Sequence, residues 1–304
     1  MMNEADEIQN DLYSSKFSGF FKTKLAKSLI KLEKRRIRLL IISFAIIFLL
    51  IISIIYNIYS GNFEDNIDSI IIFTVIAVMI ISWNFHFYKF DVKSSVLEKL
   101  LSFVGDFRQI IVEEDTVYVK SLNLFDKFDN YSCDDRIKGK YGLLDIDIQE
   151  IELSVGKGKY TRSVFKGILI KIPIRKKFNG YTVIKRNSKR VSNKINVISS
   201  ENTMFEFNEY YDISSENDLE TRCLLTESFM EKMVRIAKHN IGGNISISFE
   251  NRNVNIAVAS NKNWFEVPIF KSATNIENYR GILLEFTTLL KIIDSLKLEQ
   301  NIGL

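Results

Sequence analysis

The side chains in this sequence that are best suited to chemistry lie in one short acidic segment. Asp129, Asp134 and Asp135 surround Cys133 in the run FDNYSCDDR. Clustered carboxylates can hold a divalent cation or act as acid and base, and a thiol can act as a nucleophile. Asp, Asn and Ser in such a run more often form a turn and cap backbone N–H groups. We therefore predict a turn with a structural thiol. The alternative is a membrane-surface enzyme that uses the carboxylates from Asp129 to Asp135.

A second candidate site consists of basic residues on both sides of one predicted strand. This strand covers Tyr181 to Lys185, and the basic residues belong to the turns that flank it. Polar turns are usually solvated, but turn tips that face a bilayer would contact anionic lipid headgroups or a phosphate-bearing ligand. Seven residues form this predicted contact: Arg175, Lys176, Lys177, Lys185, Arg186, Lys189 and Arg190.

Other catalytic and metal-binding arrangements have little to build on. The chain has two histidines, His86 and His239, and two isolated cysteines. Thiols without close spacing argue against a zinc ribbon or a disulfide framework. The Gly-Lys-Gly of residues 156–158 lacks the third glycine of a dinucleotide fingerprint and the Gly-Lys-Ser/Thr of a P-loop, so we predict a hairpin turn there. We expect no catalytic residue, no metal and no cofactor.

Two apolar runs dominate the N-terminal third of the sequence. Leu39 to Tyr59 contains no Asp, Glu, Lys or Arg, and at ~1.5 Å per residue it spans the ~30 Å hydrocarbon core of a bilayer. Ser69 to Tyr88 is equally free of these residues and ends in aromatics of the kind favoured at bilayer surfaces. The first run is too long, and starts too deep in the chain, for a cleaved signal peptide. We predict two transmembrane helices, 39–59 and 69–88, with a short outside loop over residues 60–68.

The charges that flank these runs predict their orientation. Residues 1–38 carry nine Lys or Arg against five Asp or Glu, which leaves 32 of each in the rest of the chain (41 − 9 and 37 − 5). The loop holds three acids and no base, and basic flanks stay inside the cell. We therefore predict a multi-pass protein of the bacterial inner (plasma) membrane with both termini in the cytoplasm. Because neither run carries an acid or a base at membrane depth, we predict that the two helices are an anchor and not a transport pathway. Residues 39–304 carry equal numbers of acidic and basic residues, which gives no support for nucleic-acid binding.

Residues 1–38 are predicted to form a basic amphipathic juxtamembrane helix. Phe21, Leu25, Leu29 and Leu32 keep the spacing of one apolar helix stripe. This stripe would pack on the folded domain, while the basic residues would be attracted to anionic lipid at ~1 kcal/mol for each group close to the surface. The basic residues concerned are Lys22, Lys24, Lys27, Lys31, Lys34, Arg35 and Arg36.

From residue 91 to 304 the periodicity predicts one cytoplasmic α+β domain with mixed helices and an antiparallel sheet. Predicted strands cover 144–153, 164–173, 181–185 and a hairpin of NISISFE and VNIAVAS around residues 251–253. Predicted helices cover 91–104, 116–125, 214–240 with Thr226 as an internal N-cap, and 275–298. The last helix has a heptad seam, which usually packs within its own domain; self-association through residues 276–293 is the alternative.

Several segments in the same order resemble the DUF3137 family, bacterial proteins with a short N-terminal region, two transmembrane helices and a C-terminal domain. The resemblance covers residues 17 to about 270. It is carried by YSCDD (131–135) with KGK (138–140), FKGIL (165–169), FNGYTV (178–183), LLT (224–226), IAV (256–258) and WFE (264–266). The chain departs from the family at Cys133, where the family tends to have Gly. The resemblance implies this fold and topology, and it implies no activity and no catalytic residues.

The expectation that follows is a membrane-anchored binding or scaffold protein that presents its α+β domain at the cytoplasmic membrane face. Its expected partners are the lipid bilayer, anionic lipid headgroups and a cytoplasmic protein, with no nucleic acid.

Overall fold

Two long helices and one antiparallel sheet make up most of this computed structural model, which describes residues 15–112, 115–187, 201–239 and 244–296. The helices are α1 (Ala26–Tyr59), α2 (Phe63–Val104), α3 (Thr116–Ser121), α4 (Glu201–Tyr210), α5 (Asp218–Leu224), α6 (Glu227–His239) and α7 (Ile276–Leu296). The strands are β1 (Phe107–Gln109), β2 (Asn130–Tyr141), β3 (Leu144–Val155), β4 (Arg162–Pro173), β5 (Tyr181–Arg186), β6 (Tyr211–Ser215), β7 (Asn244–Glu250) and β8 (Asn253–Ala259). The predicted α+β class is confirmed.

The chain divides into two compact units. The first contains Met1–Phe103 with Phe265–Ile282, and the second contains Val104–Trp264 with Leu283–Leu304. This grouping follows spatial contacts rather than chain order, and the domain boundaries at residues 38, 88 and 91 stay a prediction.

In the first unit, the two apolar runs belong to helices longer than the runs themselves. Helix α1 continues the basic segment into the first run, and α2 includes both the second run and the separate helix predicted over 91–104. The connection between the two helices has three residues, 60–62, and the outside loop over residues 60–68 stays a prediction. Glu64 and Asp65 occupy the first turn of α2, where acids interact favourably with the helix dipole and extend the helix.

Both helices are long and apolar enough, by length and composition, to cross a membrane. Large side chains such as Phe48 and Phe73 are more than 60% exposed. At the connection, Asn66 Nδ2 donates a hydrogen bond of 2.9 Å to Asn57 Oδ1. The outer surface of this helical pair is therefore apolar, with a polar contact near its tip.

In the second unit, all strands join one sheet in the order β1-β2-β3-β4-β8-β7-β5-β6, and every neighbouring pair is antiparallel. The predicted hairpin of β7 and β8 is confirmed, with Asn251 at φ 54° in its turn. Residues 156–158 lie in the connection between β3 and β4, as predicted. Strands β4 and β8 approach closely at Gly167, where an added Cβ would lie 2.1 Å from the Val258 carbonyl oxygen, so only glycine fits.

The core of this unit has a helix and a loop packed on one sheet face. The residues after α3, Leu122 and Phe128 among them, pack with Ile151 and Leu169 of the central strands. The intervening residues of β4 and β8 are buried as well, so both faces of these two strands are covered. This burial explains why their sequences are nearly continuous apolar runs.

Several elements differ from the sequence prediction, which contains neither β1 nor α4. Residues 130–141, predicted to begin with a turn, form the long strand β2. Residues 211–215 form β6, although residues 214 and 215 were included in a predicted helix. That helix divides into α5 and α6, and Thr226 Oγ1 accepts a hydrogen bond from Phe229 N as the predicted cap of the latter. In β2 and β6, pairing with a neighbouring strand overrides local turn and helix preferences.

Candidate functional site

The three carboxylates of the acidic segment do not form a common site. Asp129 Oδ2 accepts a hydrogen bond of 3.0 Å from Gly156 N, and Asp135 is buried and accepts one of 3.0 Å from Gln109 Nε2. Asp134 is exposed, although it directly precedes Asp135. Residues 129 and 135 are separated by roughly 20 Å of extended chain. The predicted turn is wrong, and so is the convergence that the enzyme alternative needs.

Cys133 lies beside a β-bulge in β2 and is partly buried. Its Sγ lies 3.4 Å from the Asp135 carbonyl oxygen. Burial, partly offset by a hydrogen bond with Tyr131, raises the pKa of the Cys133 thiol to about 11. A thiol is nucleophilic only as the thiolate, so this environment suits a structural cysteine.

The predicted basic contact is split between the two ends of β5. Arg175 and Lys177 are exposed before the strand, whereas Lys185 and Arg186 are its last two residues. At ~3.3 Å per residue these groups are separated by the length of the strand. Two further members, at positions 189 and 190, lie outside the described residues. The described members therefore do not form one basic tip.

Arg186 and Lys176 each contact aromatic rings. The Arg186 guanidinium lies 4.8 Å from the Tyr210 ring centroid and 5.4 Å from that of Tyr211. Lys176 Nζ lies 5.7 Å from the ring centroid of Phe178. Such cation–π contacts contribute about 0.5–1 kcal/mol at exposed sites. Arg186 is thus packed into the domain, whereas Arg175 and Lys177 are available at the surface.

The structure brings together a different set of polar residues, which cross five neighbouring strands on one face of the sheet. Direct register partners have side chains on the same face. We call the following residues the polar band: Lys138, Asp147, Lys171, Asn255 and Ser248. The sequence does not reveal the polar band, because its members are dispersed over more than a hundred residues and only the strand register aligns them. The polar positions that alternate with Ile146 and Ile148 in β3 were the available signal, but alternation alone predicts a solvated face.

One end of the polar band is a compact ion-pair network. Arg136 holds Asp147 in a two-point contact, with Nε 3.1 Å from Oδ1 and NH2 2.7 Å from Oδ2. Lys138 Nζ adds a third contact at 3.5 Å. Arg136 and Asp147 are largely buried, so their charges are matched where solvent screening is weak.

At the other end, the polar band is covered by Tyr118 of α3. The Tyr118 hydroxyl donates a hydrogen bond to Asn255 Oδ1, and Lys171 Nζ lies 3.8 Å from the Tyr118 ring centroid. Burial lowers the pKa of Lys171. Asn255 Nδ2 and Ser248 Oγ are buried and have no hydrogen-bond partner among the described residues. Buried polar groups of this kind are usually satisfied by ordered water.

A second polar cluster lies in the first unit, directly before the apolar run of α1. Arg36 is almost fully buried, and its NH2 contacts Glu33 Oε1 at 2.7 Å while NH1 donates to the Ile269 carbonyl oxygen at 3.2 Å. Glu33 also accepts a hydrogen bond of 2.7 Å from Ala273 N. The hydrogen bond from Arg36 is the main cause that lowers the pKa of Glu33. This cluster fixes the 269–273 segment to α1, so Arg36 serves packing within the unit.

The apolar stripe predicted before this cluster is buried. Phe21, Leu25, Leu29 and Leu32 are each no more than 8% exposed. Arg35 pairs with Asp91 of α2. Of the basic residues predicted to attract lipid, the two arginines therefore have partners within the unit, and the lysines remain on its surface.

No group of three or more His, Cys, Asp or Glu residues suited to a metal ion occurs in the part of the chain that the structure describes.

The apolar seam of α7 is buried from Tyr279 to Ile293, so a single chain already covers it. Self-association through residues 276–293 stays a prediction.

Comparison with known proteins gives one family and one structural similarity. No curated protein matches the chain. The crystal structure of the mycobacterial trehalose monomycolate transport factor A, TtfA, matches with a TM-score of 0.31 and 12% identity, covering 61% of this chain and 88% of that one. A similarity of this size carries no argument about function. The family match extends over residues 163–298, from β4 to α7, and its description is a protein of unknown function. This match agrees with the segments from FKGIL onward, and it supports the assignment of the region from β4 to α7 to the DUF3137 family.

Proposed function

We propose that this protein is a membrane-anchored binding or scaffold protein whose α+β domain is held at the cytoplasmic membrane face by α1 and α2. The observation that carries the proposal is the apolar surface of these helices, on which Ile41, Phe44 and Phe73 are all exposed. An apolar surface of this extent is unfavourable in water at ~25 cal/mol per Å². A bilayer covers such a surface on every side, which a one-sided protein contact does not.

The proposed orientation places both termini in the cytoplasm and the 60–62 connection outside. Arg38 precedes the first run and Lys93 follows the second, whereas Glu64, Asp65 and Asp68 are grouped beside the connection. The excess of Lys and Arg on one side supports an inner-membrane, multi-pass arrangement.

Reporter fusions test this arrangement. A reporter fused after Leu304 should be active in the cytoplasm, and one inserted at Asn62 should be active outside. Alkaline carbonate should leave the protein in the membrane fraction. Extraction by carbonate would refute the anchor, and the reversed reporter pattern would refute the orientation while leaving the anchor intact.

Contact with anionic lipid is a separate part of the proposal. Arg175 and Lys177 support it because both are exposed and lie two residues apart in the connection between β4 and β5. Lys185, at the other end of β5, would belong to a second contact region.

A further inference from the structure

Helix α1 has two opposite faces before its apolar run begins. One face carries Leu29, Leu32 and Arg36, all buried. The opposite face carries what we call the basic stripe, in which successive residues are three, four, three and four positions apart. The basic stripe consists of Lys24, Lys27, Lys31, Lys34 and Arg38, and all five residues are exposed. Lys24 belongs to the π-helical turn Phe21–Leu25 that leads directly into α1, and the other four belong to α1 itself. Residues three and four apart are neighbours on a helix surface, so the five charges form one continuous line.

This line of cations has no acidic counterpart within the described chain. None of its five members forms an ion pair with a described residue, whereas the adjacent Arg35 and Arg36 pair with Asp91 and Glu33. Like charges at these spacings destabilise a helix by about 0.2–0.5 kcal/mol per pair. Among the described residues the arrangement is therefore unfavourable, and an anionic partner would make it favourable.

An apolar edge accompanies the basic stripe. Ile30 and Ile37 lie seven residues apart, and both are exposed, at 52% and 44%. On a helix this spacing places them in line beside the cations. A partner that fits this surface must offer carboxylates in a row with apolar side chains next to them.

The distance from the bilayer distinguishes a protein partner from a lipid surface. Helix α1 contains no Pro or Gly that would kink it, so it extends at ~1.5 Å per residue. Arg38 borders the apolar run, which places Lys27 roughly 16 Å farther along the axis, and Lys24 lies beyond it in the π-helical turn Phe21–Leu25. Exposed charges are screened beyond ~8–10 Å at physiological ionic strength. Lipid headgroups can therefore neutralise Arg38 and Lys34 but not the far end of the stripe.

We infer that the basic stripe binds an acidic amphipathic helix of a partner protein, with Asp or Glu at alternating spacings of three and four and apolar residues that pack on Ile30 and Ile37. A nucleic acid fits less well, because the rest of the chain carries equal numbers of acids and bases and offers no wider basic face. The inference rests on the proposed function only in placing residues 39–59 in the bilayer.

Binding to a defined probe tests the inference. The full chain in nanodiscs of neutral lipid is titrated with a synthetic helical peptide that has a Glu stripe at this spacing beside a Leu stripe. A second peptide of the same composition has its Glu residues distributed around the helix. The striped peptide should bind more tightly, and the K24Q/K27Q/K31Q variant should weaken that binding by about tenfold, as expected for the loss of three exposed ion pairs.

A matched variant removes the same charge elsewhere. Lys127, Lys140 and Lys157 are exposed in the second unit, and K127Q/K140Q/K157Q should leave peptide binding unchanged. Equal binding of both peptides, or undiminished binding to K24Q/K27Q/K31Q, would overturn the inference. So would a photo-cross-link from position 27 that, in the native membrane, reaches only lipid or this chain's own residues 1–14. If α1 and α2 did not anchor the protein, carbonate would extract it, and this result would not depend on peptide binding. Failure of the proposed anchor can therefore be distinguished from failure of the basic stripe to bind an acidic helix.

Discussion

The apolar run of α1 and the C-terminal helix α7 are both rich in Ile, Leu and Phe, yet they expose these residues differently. In α7 the apolar residues occupy one side, where Phe286 and Leu289 are buried and Leu284 on the opposite side is exposed. In α1 the exposed apolar residues follow each other without a polar side, as at Phe48 and Leu49. Average hydropathy does not separate a core helix from a membrane helix, but the distribution of polar residues around the helix does.

The largest effect should come from placing charge on the apolar run. The double variant I47R/I51R opposes insertion by about 5–7 kcal/mol, at ~2.5–3.5 kcal/mol for each Arg near the bilayer centre. The carbonate-resistant membrane fraction should fall sharply. The control L284R places a single Arg on the exposed side of α7 and should not change this fraction. If I47R/I51R stayed fully in the membrane fraction, the apolar run of α1 would not differ from α7 in being inserted in a bilayer.

Truncation in the buried seam of α7 should have the next largest effect. Phe286 is 1% exposed, and its ring lies 4.8 Å from that of Phe107, edge to face. Phe286→Ala should lower the free energy of unfolding by about 3–5 kcal/mol, because it removes buried surface and leaves a cavity. Leu284→Ala should change it by no more than ~0.5 kcal/mol. Urea unfolding of the purified protein in detergent, followed by Trp fluorescence, measures both, and equal losses would contradict the one-sided packing of α7.

Two of the ion pairs in the first unit, one buried and one half-exposed, allow the same comparison for charged side chains. Removal of Glu33 leaves the buried Arg36 without its acid and should cost about 3 kcal/mol, whereas Asp91→Ala breaks a half-exposed pair worth ~0–1 kcal/mol. Because the pKa of Glu33 is lowered, its contribution is complete above the ordinary carboxyl pKa of ~4.3 and is lost as the pH falls through the lowered value. The urea midpoint of Glu33→Ala should therefore depend less on acid pH than that of the wild type. Parallel pH profiles would exclude this pair as a source of acid sensitivity.

The smallest change in stability is expected at the surface charges before β5. R175Q/K176Q/K177Q should weaken binding of the nanodisc-embedded protein to anionic vesicles and reduce the salt dependence of that binding. The free energy of unfolding should change by no more than ~0.5 kcal/mol. R186Q should instead cost about 1 kcal/mol, since it removes the contacts with Tyr210 and Tyr211. Vesicle binding that R175Q/K176Q/K177Q leaves unchanged would refute the lipid contact.

The sequence predicted elements whose periodicity is strong and local. Strands β3, β4, β7 and β8 and helix α7 were located to within a few residues, because alternation or a 3.6-residue period marks their buried faces. Strand β2 was missed since most of its residues are at least partly exposed and several are Asn, Ser or Asp. Its strand structure comes from pairing with β3, a partner that local preference does not encode.

The candidate sites were less predictable than the fold. The carboxylates of residues 129–135 are close in sequence and separate in space, whereas Lys171 and Asn255 are distant in sequence and adjacent across two strands. Which side chains come together depends on strand order and register. Strands β4 and β8 are neighbours in the sheet although β5, β6 and β7 lie between them in the chain. The basic stripe is the exception, because a single helix aligns it and spacing alone determines which residues are neighbours.

The hydrogen bond between Glu33 and Ala273 joins residues 240 positions apart. At a translation rate of ~5–20 residues per second, the ribosome reaches Ala273 roughly 12–50 s after it has added Glu33. Helix α1 therefore leaves the ribosome long before the backbone that completes its polar cluster. The strands of the second unit are synthesised in this interval, between the two segments that build the first unit. If translation ended before residue 273, the chain would contain both long helices and all eight strands described above. Glu33 would then lack the backbone N–H of Ala273 as a hydrogen-bond donor.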